Sequence, residues 1–339
     1  MGTRVWEENL LKVGLLGAGR IGRVHAVNIA GHPRSELAAV SDVNEEAARS
    51  LAEAHGAKAM GTDDILADSS INAVLIATST DTHSDLIERV TEAGKAVLCE
   101  KPVDLSLDRA RACLAKASAT GIPVMIGFNR RFDPNFALMQ ASVAAGEIGK
   151  PELLSITSFD PAPPPVSYVK VSGGLFRDMM IHDFDMANFL MKDLPKSVHA
   201  VGSSIVDPEI GAADDVDTAV VTMAYADGRI AVIRNSRRAA YGYDQRVELL
   251  GSEGLLSAEN VLENTLSKAT KAGVLSAKPE LFFLERYMRA YAAEWDAFVR
   301  AALDGAEIPV TLRDGVAALA LAEAATASAK SGQPVAPVL

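Results

Sequence analysis

At 339 residues, 49% hydrophobic and 23% charged, the chain is long for one hydrophobic core and is expected to form two globular domains. A net charge of −11 argues against a nucleic-acid or anionic-membrane partner, and no run of about 18 apolar residues is available to span a bilayer. Cys99 and Cys113 make neither a disulfide framework nor a metal spacing, which suits a reducing cytoplasm, and residues 1–12, "MGTRVWEENLLK", have no apolar core of signal-peptide length.

From Leu11 the pattern is a short apolar run, a glycine turn and a longer helical stretch, repeated. "LKVGLLG" predicts a buried parallel strand and "RIGRVHAVNIAGH" a helix; "ELAAVSD" and "NEEAARSLAEAHG" repeat the pair. "AVLIAT", "AVLCE" and "PVMIGF" are further strands, with "HSDLIERVTEAG" and "LDRARACLAKASATG" as helices between them. Alternation of this kind implies a parallel sheet covered on both faces.

The first strand-to-helix turn is "GAGRIG", with Gly17, Gly19 and Gly22. A GxGxxG alone is weak, but here a strand precedes it, a helix follows, and Asp42 ends the next strand 20 residues beyond Gly22. Gly17 permits the tight turn, Gly19 lets backbone approach a pyrophosphate, and Gly22 lets the helix sit close to the sheet. The helix start, with Arg20 and Ile21, then offers N–H groups to phosphates, although Arg20 could equally be a solvated helix charge. Asp42 suits a ribose diol and repels a 2′-phosphate; it is followed by Val43, not an arginine, so NAD is favoured over NADP. Asp42 could also cap the following helix, and both readings can hold.

Ligands of open α/β sheets bind at the carboxyl ends of the strands. Two loops lie there: "ATSTDTH", supplying Thr78, Ser79, Thr80 and His83, and "EKP", supplying Glu100 and Lys101. His83 also reads as a plain helix-start residue. Lys101 could donate to a substrate hydroxyl, or be an ordinary turn lysine.

After Gly149 the character changes. "ELLSITSF", "SVHAVGSSIV", "DTAVVTMAYADGRIAVIRNSRR" and "YDQRVELLGSEGLLSAE" predict strands of an antiparallel sheet, with a hairpin at Asp227-Gly228. The "DPAPPP" loop is read as a stiff loop near a substrate mouth or as a surface connection. Between these lies "GGLFRDMMIHDFDMANFL", predicting one helix from about Gly174 to Met191. In it Asp178, His182 and Asp185 fall at i, i+4 and i+7 on one stripe of a largely apolar helix, and Asp183 falls on the other side. Ionisable groups so placed are costly unless paired or lining a wet cleft. A histidine titrates at about 6.5 when unperturbed, so His182 can accept a proton at neutral pH, oriented by Asp178 one turn earlier. The sheet's other face is a candidate surface for a homo-oligomer, dimer or tetramer. Two closing helices, "RYMRAYAAEWDAFVRAALDG" and "RDGVAALALAEAATASAKSG", carry core spacing only, and no His/Cys cluster suits a metal.

These motifs taken together, "GAGRIG" with "RVHA", "ATSTDTH", "EKP", "GFNRRFDP", "GGLFRDMMIHDFDMANFL" and the closing "VTLRDGVAALALAEAATASAKSGQPV", resemble the Gfo/Idh/MocA oxidoreductase family over nearly the whole chain. The resemblance implies an α/β fold: an N-terminal Rossmann doubly wound parallel sheet (11–130) and a C-terminal α+β domain with a large open, mostly antiparallel sheet (131–339), the last helices packing back on the first domain. It implies bound NAD and oxidation of a ring secondary hydroxyl of a polyol or sugar, with the pattern nearest to members that convert myo-inositol to its 2-keto product. By the same resemblance Lys101, Asp178 and His182 are catalytic, and Arg131, Asp185 and Tyr241 join them in holding substrate. Scyllo-inositol or another sugar or polyol remains a second substrate reading, and a non-catalytic dinucleotide-binding regulatory protein remains the alternative of a different class.

Overall fold

A computed structural model describes residues 9–339. The expectation for the leader region thus lies, for residues 1–8, outside the described residues. Chain contacts divide the protein into two compact units, one comprising the chain up to Phe132 together with Ala290–Leu319, the other Asp133–Arg289 with Ala320–Leu339.

The first unit holds β1 (Leu11–Leu16), α1 (Arg20–Gly31), β2 (Ser35–Ser41), α2 (Glu45–Ala54), β3 (Lys58–Ala59), α3 (Thr62–Ala67), β4 (Ala73–Ile76), α4 (His83–Glu92), β5 (Ala96–Glu100), α5 (Leu107–Thr120) and β6 (Val124–Gly127). Its six strands are all parallel in the order β3-β2-β1-β4-β5-β6. The central strands are continuous apolar runs because both faces are covered: Val13, Leu15, Val74, Leu75, Val97 and Leu98 are all 0% exposed. The order reverses between β1 and β4, and the crevice beyond their carboxyl ends is where such a sheet takes a ligand.

The second unit holds α6 (Pro134–Ala144), β7 (Pro151–Phe159), α7 (Val166–Ser172), α8 (Gly174–Asp178), α9 (Ile181–Met191), β8 (Ser197–Ser203), α10 (Pro208–Ala212), β9 (Thr218–Ala224), β10 (Ile230–Ser236), β11 (Asp244–Gly251), β12 (Leu255–Ala258), β13 (Ser267–Thr270) and β14 (Gly273–Ser276). Its main sheet runs β12-β11-β7-β10-β9-β8, antiparallel except where β7 meets β10. Along each strand one set of side chains is buried, including Leu154, Ile156, Val221, Met223, Ile233 and Leu249, and α9 packs on β7. Alternate residues face out. The expected hairpin turns at Gly228 (φ +93°), with Tyr225 N–H donating to Arg229 O at 3.0 Å. Helices α11 (Phe283–Asp304) and α12 (Leu312–Ser331) each contribute to both units. Among the described residues no helix is long and apolar enough to cross a membrane.

Candidate active site

The glycine turn is built as its spacing requires. Gly17 has φ +103°, and a Cβ there would lie 2.3 Å from Ala77 O; one on Gly22 would lie 2.0 Å from Gly17 O. These two glycines bring β1, α1 and the end of β4 together. Gly19 is different: a Cβ there would meet nothing within 4 Å. It borders open space at the N-terminus of α1, where the first-turn amides of Arg20, Ile21 and Gly22 have no acceptor inside the helix. No acidic side chain occupies that first turn and no side chain caps it, so the donors fit a diphosphate. The Asp42 carboxylate accepts from Ala18 N–H at 2.6 Å and Asn44 N–H at 2.8 Å, one on each oxygen. It therefore ties the turn to the start of α2 and still keeps lone pairs for a diol. The capping residue of α2 is Asn44, whose side chain accepts from Ala47 N–H.

The loop after β4 is cross-braced: Thr78 and Thr82 hydroxyls meet at 2.7 Å, and Thr82 donates to Ser79 O at 2.8 Å. Thr78 and Thr80 are half-buried and Ser79 is exposed. His83, expected beside the cofactor, is turned into the protein. It is 1% exposed, with Nδ1 2.8 Å from Pro102 O and Nε2 3.2 Å from Thr78 O. Both ring nitrogens are thus used in latching the "ATSTDTH" loop to the "EKP" turn, and burial lowers its pKa despite these two carbonyls.

Glu100 likewise turns inward, to His25 of α1, with Nε2 to Oε1 at 2.7 Å; the two residues are 0% and 7% exposed. Its carboxylate thus braces the end of β5 against α1. Lys101 follows it, half-buried, with a cis peptide to Pro102. Arg131 is committed within the first unit, donating to Pro309 O and to Asp314 Oδ1, each at 3.1 Å. That bond set explains its 8% exposure and ties the turn after β6 to the start of α12.

In the second unit the single helix expected over 174–191 is two. α8 ends at Asp178 and α9 begins at Ile181. Through the junction Met180 N–H bonds Leu175 O, five residues back, and His182 N–H bonds Met179 O, three back. The wide turn has a cause in its anchors. Asp183 is fully buried, accepting from Ser158 Oγ at 2.6 Å and Asn235 Nδ2 at 2.8 Å on β7 and β10. Asp178 is held by Arg237 Nη2, just past β10, at 3.4 Å. Five residues in an α-helix turn about 140° out of phase, and a π-like turn brings the two carboxylates back to one side. The stripe read through the junction is therefore interrupted: His182 is half-buried in the first turn of α9 and Asp185 is 1% exposed.

Tyr168 and Arg237, which the sequence did not single out, both hold Asp178; the Tyr168 hydroxyl donates to its Oδ1 at 2.9 Å. Arg237 is 2% exposed, a placement no local pattern announces. Tyr241 is half-exposed, and its hydroxyl donates to Asp244 at 2.5 Å; burial and that bond push its pKa up to about 12.

A parallel sheet reversing order at β1 and β4, a glycine turn feeding a helix N-terminus, and an acid after β2 define a dinucleotide-binding Rossmann domain. The chain belongs to the Gfo/Idh/MocA oxidoreductase family: residues 11–128 match its model described as oxidoreductase family, NAD-binding Rossmann fold, and residues 136–257 match the GFO/IDH/MocA C-terminal domain. It is 49% identical over 318 residues to the inositol 2-dehydrogenase of Rhizobium meliloti (strain 1021), covering 94% of this chain and 96% of that one. Among solved structures, a myo-inositol dehydrogenase from Corynebacterium glutamicum is 45% identical with a TM-score of 0.93, covering 97% of this chain and 99% of that one. The scyllo-inositol dehydrogenase of Lactobacillus casei, solved with NAD(H) and scyllo-inositol, is 29% identical with a TM-score of 0.90, covering 96% and 99%. The expected α/β architecture, with a Rossmann sheet and a second, mostly antiparallel one, holds.

Proposed function

We propose that the chain oxidises one ring secondary hydroxyl of myo-inositol to the 2-keto product, with NAD as the acceptor. What carries this reading is likeness to an inositol 2-dehydrogenase over 94% of the chain, with Lys101, Asp178 and His182 all present in their motifs. The amides of Arg20, Ile21 and Gly22, beside Gly17 and Gly19, would hold the diphosphate, Asp42 would hold the ribose diol, and Thr78, Ser79 and Thr80 would line the remainder. Asp42 also repels a 2′-phosphate, and Val43 beside it offers no counter-charge, so NAD is taken in preference to NADP. Bound NAD supplies the hydride acceptor, C4 of its nicotinamide.

The chain's own residues handle position and the proton. Lys101 donates a hydrogen bond to the reacting hydroxyl and favours its alkoxide. His182 accepts the proton. Asp178 stabilises the imidazolium, its carboxylate kept in place by Tyr168 and Arg237. Asp185 and Tyr241 hold neighbouring ring hydroxyls. The protein works in the cytoplasm as a homo-oligomer, which the buried thiols of Cys99 and Cys113 and the open sheet face of the second unit support.

The test is NADH formation with myo-inositol, scyllo-inositol and glucose, using wild type, Lys101→Ala and His182→Ala. Expected are turnover of myo-inositol and a rate loss of about a hundredfold or more in each variant with NADH binding retained. Turnover of another polyol without myo-inositol rejects the substrate. Full rate in both variants rejects the catalytic roles, whereas NADH binding with no turnover of any polyol leaves a dinucleotide-binding module.

A further inference from the structure

Two glycines open the segment that carries Asp178, and no step of the reaction uses them. Both adopt left-handed backbone, Gly173 at φ +86° and Gly174 at φ +82°, a conformation that residues with a Cβ rarely take. Leu175 follows, and its N–H donates to both carboxylate oxygens of Asp215, at 3.0 and 3.1 Å. The approach is so close that a Cβ on Gly174 would lie 2.6 Å from Asp215 Oδ1. A half-buried carboxylate 40 residues further along the chain thus caps the N-terminus of α8, where Gly173 has no side chain to do so.

The cap matters because α8 is only five residues long. So short a helix has too few internal bonds to hold its own place, and its anchors hold it instead. At its far end Tyr168 and Arg237 hold Asp178. The near anchor and part of the far one belong to a single loop. Asp217, two residues beyond Asp215 and fully buried, accepts from the N–H groups of Ile205, Val206 and Asp207 at 3.1, 2.8 and 2.9 Å, folding residues 205–217 onto themselves. Asp215 N–H bonds Ile210 O at 3.2 Å in the same loop, and Arg237 N–H donates to Asp217 O at 2.8 Å. One braced loop therefore fixes both the carboxylate that meets Leu175 and the backbone of the arginine that meets Asp178.

We propose that Asp215 is a positioning residue for Asp178: it pins the start of α8, with Gly173 and Gly174 supplying the turn and the room, so that the carboxylate at the end of the helix is held in one place. This rests on Asp178 having the role given above. Without the Asp215 carboxylate the start of α8 is free to shift, and a displacement of about 1 Å is enough to misalign a reacting group.

The experiment is kcat and KM, with NAD and myo-inositol, for wild type, Asp215→Ala, Asp215→Asn, Asp178→Asn and the double variant D178N/D215A, each at a temperature where circular dichroism shows it folded. In D215A kcat falls about tenfold or more while KM for NAD holds. Asn keeps one acceptor oxygen for Leu175 N–H, so D215N recovers part of the rate and loses only about threefold. Because Asp215 acts through Asp178, D178N/D215A is no slower than D178N alone. Should D215A not fold, the threefold loss in D215N, and its disappearance in D178N/D215N, make the same comparison. A wild-type kcat in the folded Asp215 variant, or a loss that repeats in full on the D178N background, overturns this proposal alone. A wild-type kcat in D178N overturns the role of Asp178 and this proposal with it, and a wild type that turns over no polyol overturns the function reading as well.

Discussion

Arg286 and Asp133 form a salt bridge with side chains only 4% and 2% exposed, and Asp133 also caps α6 through Asn135 and Phe136 N–H. Burial alone would lower the Arg286 pKa; the bond to Asp133 outweighs it and the guanidinium titrates above its ordinary value. Glu294 is as deeply buried but is kept by its proton instead of a counter-charge. That difference is measurable in stability. An unfolded glutamate titrates at about 4.3, whereas the folded Glu294 carboxyl is raised, so above that pH the folded chain binds one proton more than the unfolded. Stability from this group is complete below the unfolded value and falls as pH rises, by up to about 1.4 kcal/mol per pH unit, until the folded carboxyl itself ionises. In E294Q that slope is missing. Urea unfolding of both proteins at about pH 5, 6.5 and 8 measures it, and parallel curves would show Glu294 already charged in the fold. Such residues were hard to see in sequence, because burial of a polar group is decided by its tertiary neighbours. One signal did exist, in that Glu294 stands directly beside a core position of a well-formed apolar stripe.

Five of the six strands of the Rossmann half, β1, β2, β4, β5 and β6, were legible because each is a largely buried run closed by a turn, and the family motifs sit at the sheet's carboxyl edge. β3 and α3 were missed for a plain reason: two and six residues are too few to show a period. The hairpin β13–β14 was missed because all eight of its residues are exposed and carry no alternation of burial. The break between α8 and α9 escaped for another reason, since helical period was read straight through Met179-Met180. Its determinants are long-range, Arg237 on Asp178 and the Ser158–Asn235 pair on Asp183. Asp183→Asn tests this. The amide has one acceptor oxygen where the carboxylate used two, so only one of Ser158 and Asn235 can go on donating to it, and both charge-assisted bonds become neutral ones. The expected cost is about 1.5–3 kcal/mol, read as a lower melting temperature. Because Asp183 adjoins His182, kcat should also fall while KM for NAD holds. An unchanged melting temperature would show that the anchors do not set the junction.

The second sheet leaves one face uncovered by its own helices, and the register of its strands shows how apolar that face is. Leu255 on β12 pairs with Leu250 on β11, Leu250 with Leu153 on β7, and Leu153 with Ile230 on β10, so one row of four aliphatic residues crosses four strands. Each is between 40% and 53% exposed. On the other edge Val220 of β9 pairs with Val201 of β8, at 44% and 64% exposed. Scattered single aliphatics on a surface need no explanation, but a contiguous row on a flat sheet is the kind of patch that a second copy covers. Arg234 and Glu248 stand on the same face and supply opposite charges for registering such a partner. Replacing Leu153 and Ile230 with Glu places two desolvated charges at the centre of that row, at little cost to a face already exposed in one chain. The expected outcome is a mass by light scattering that drops from a multiple of 35.7 kDa to a single chain, with the melting transition of the isolated fold retained. If the wild type already elutes as one chain, or the double variant keeps its oligomer, this face is not the contact.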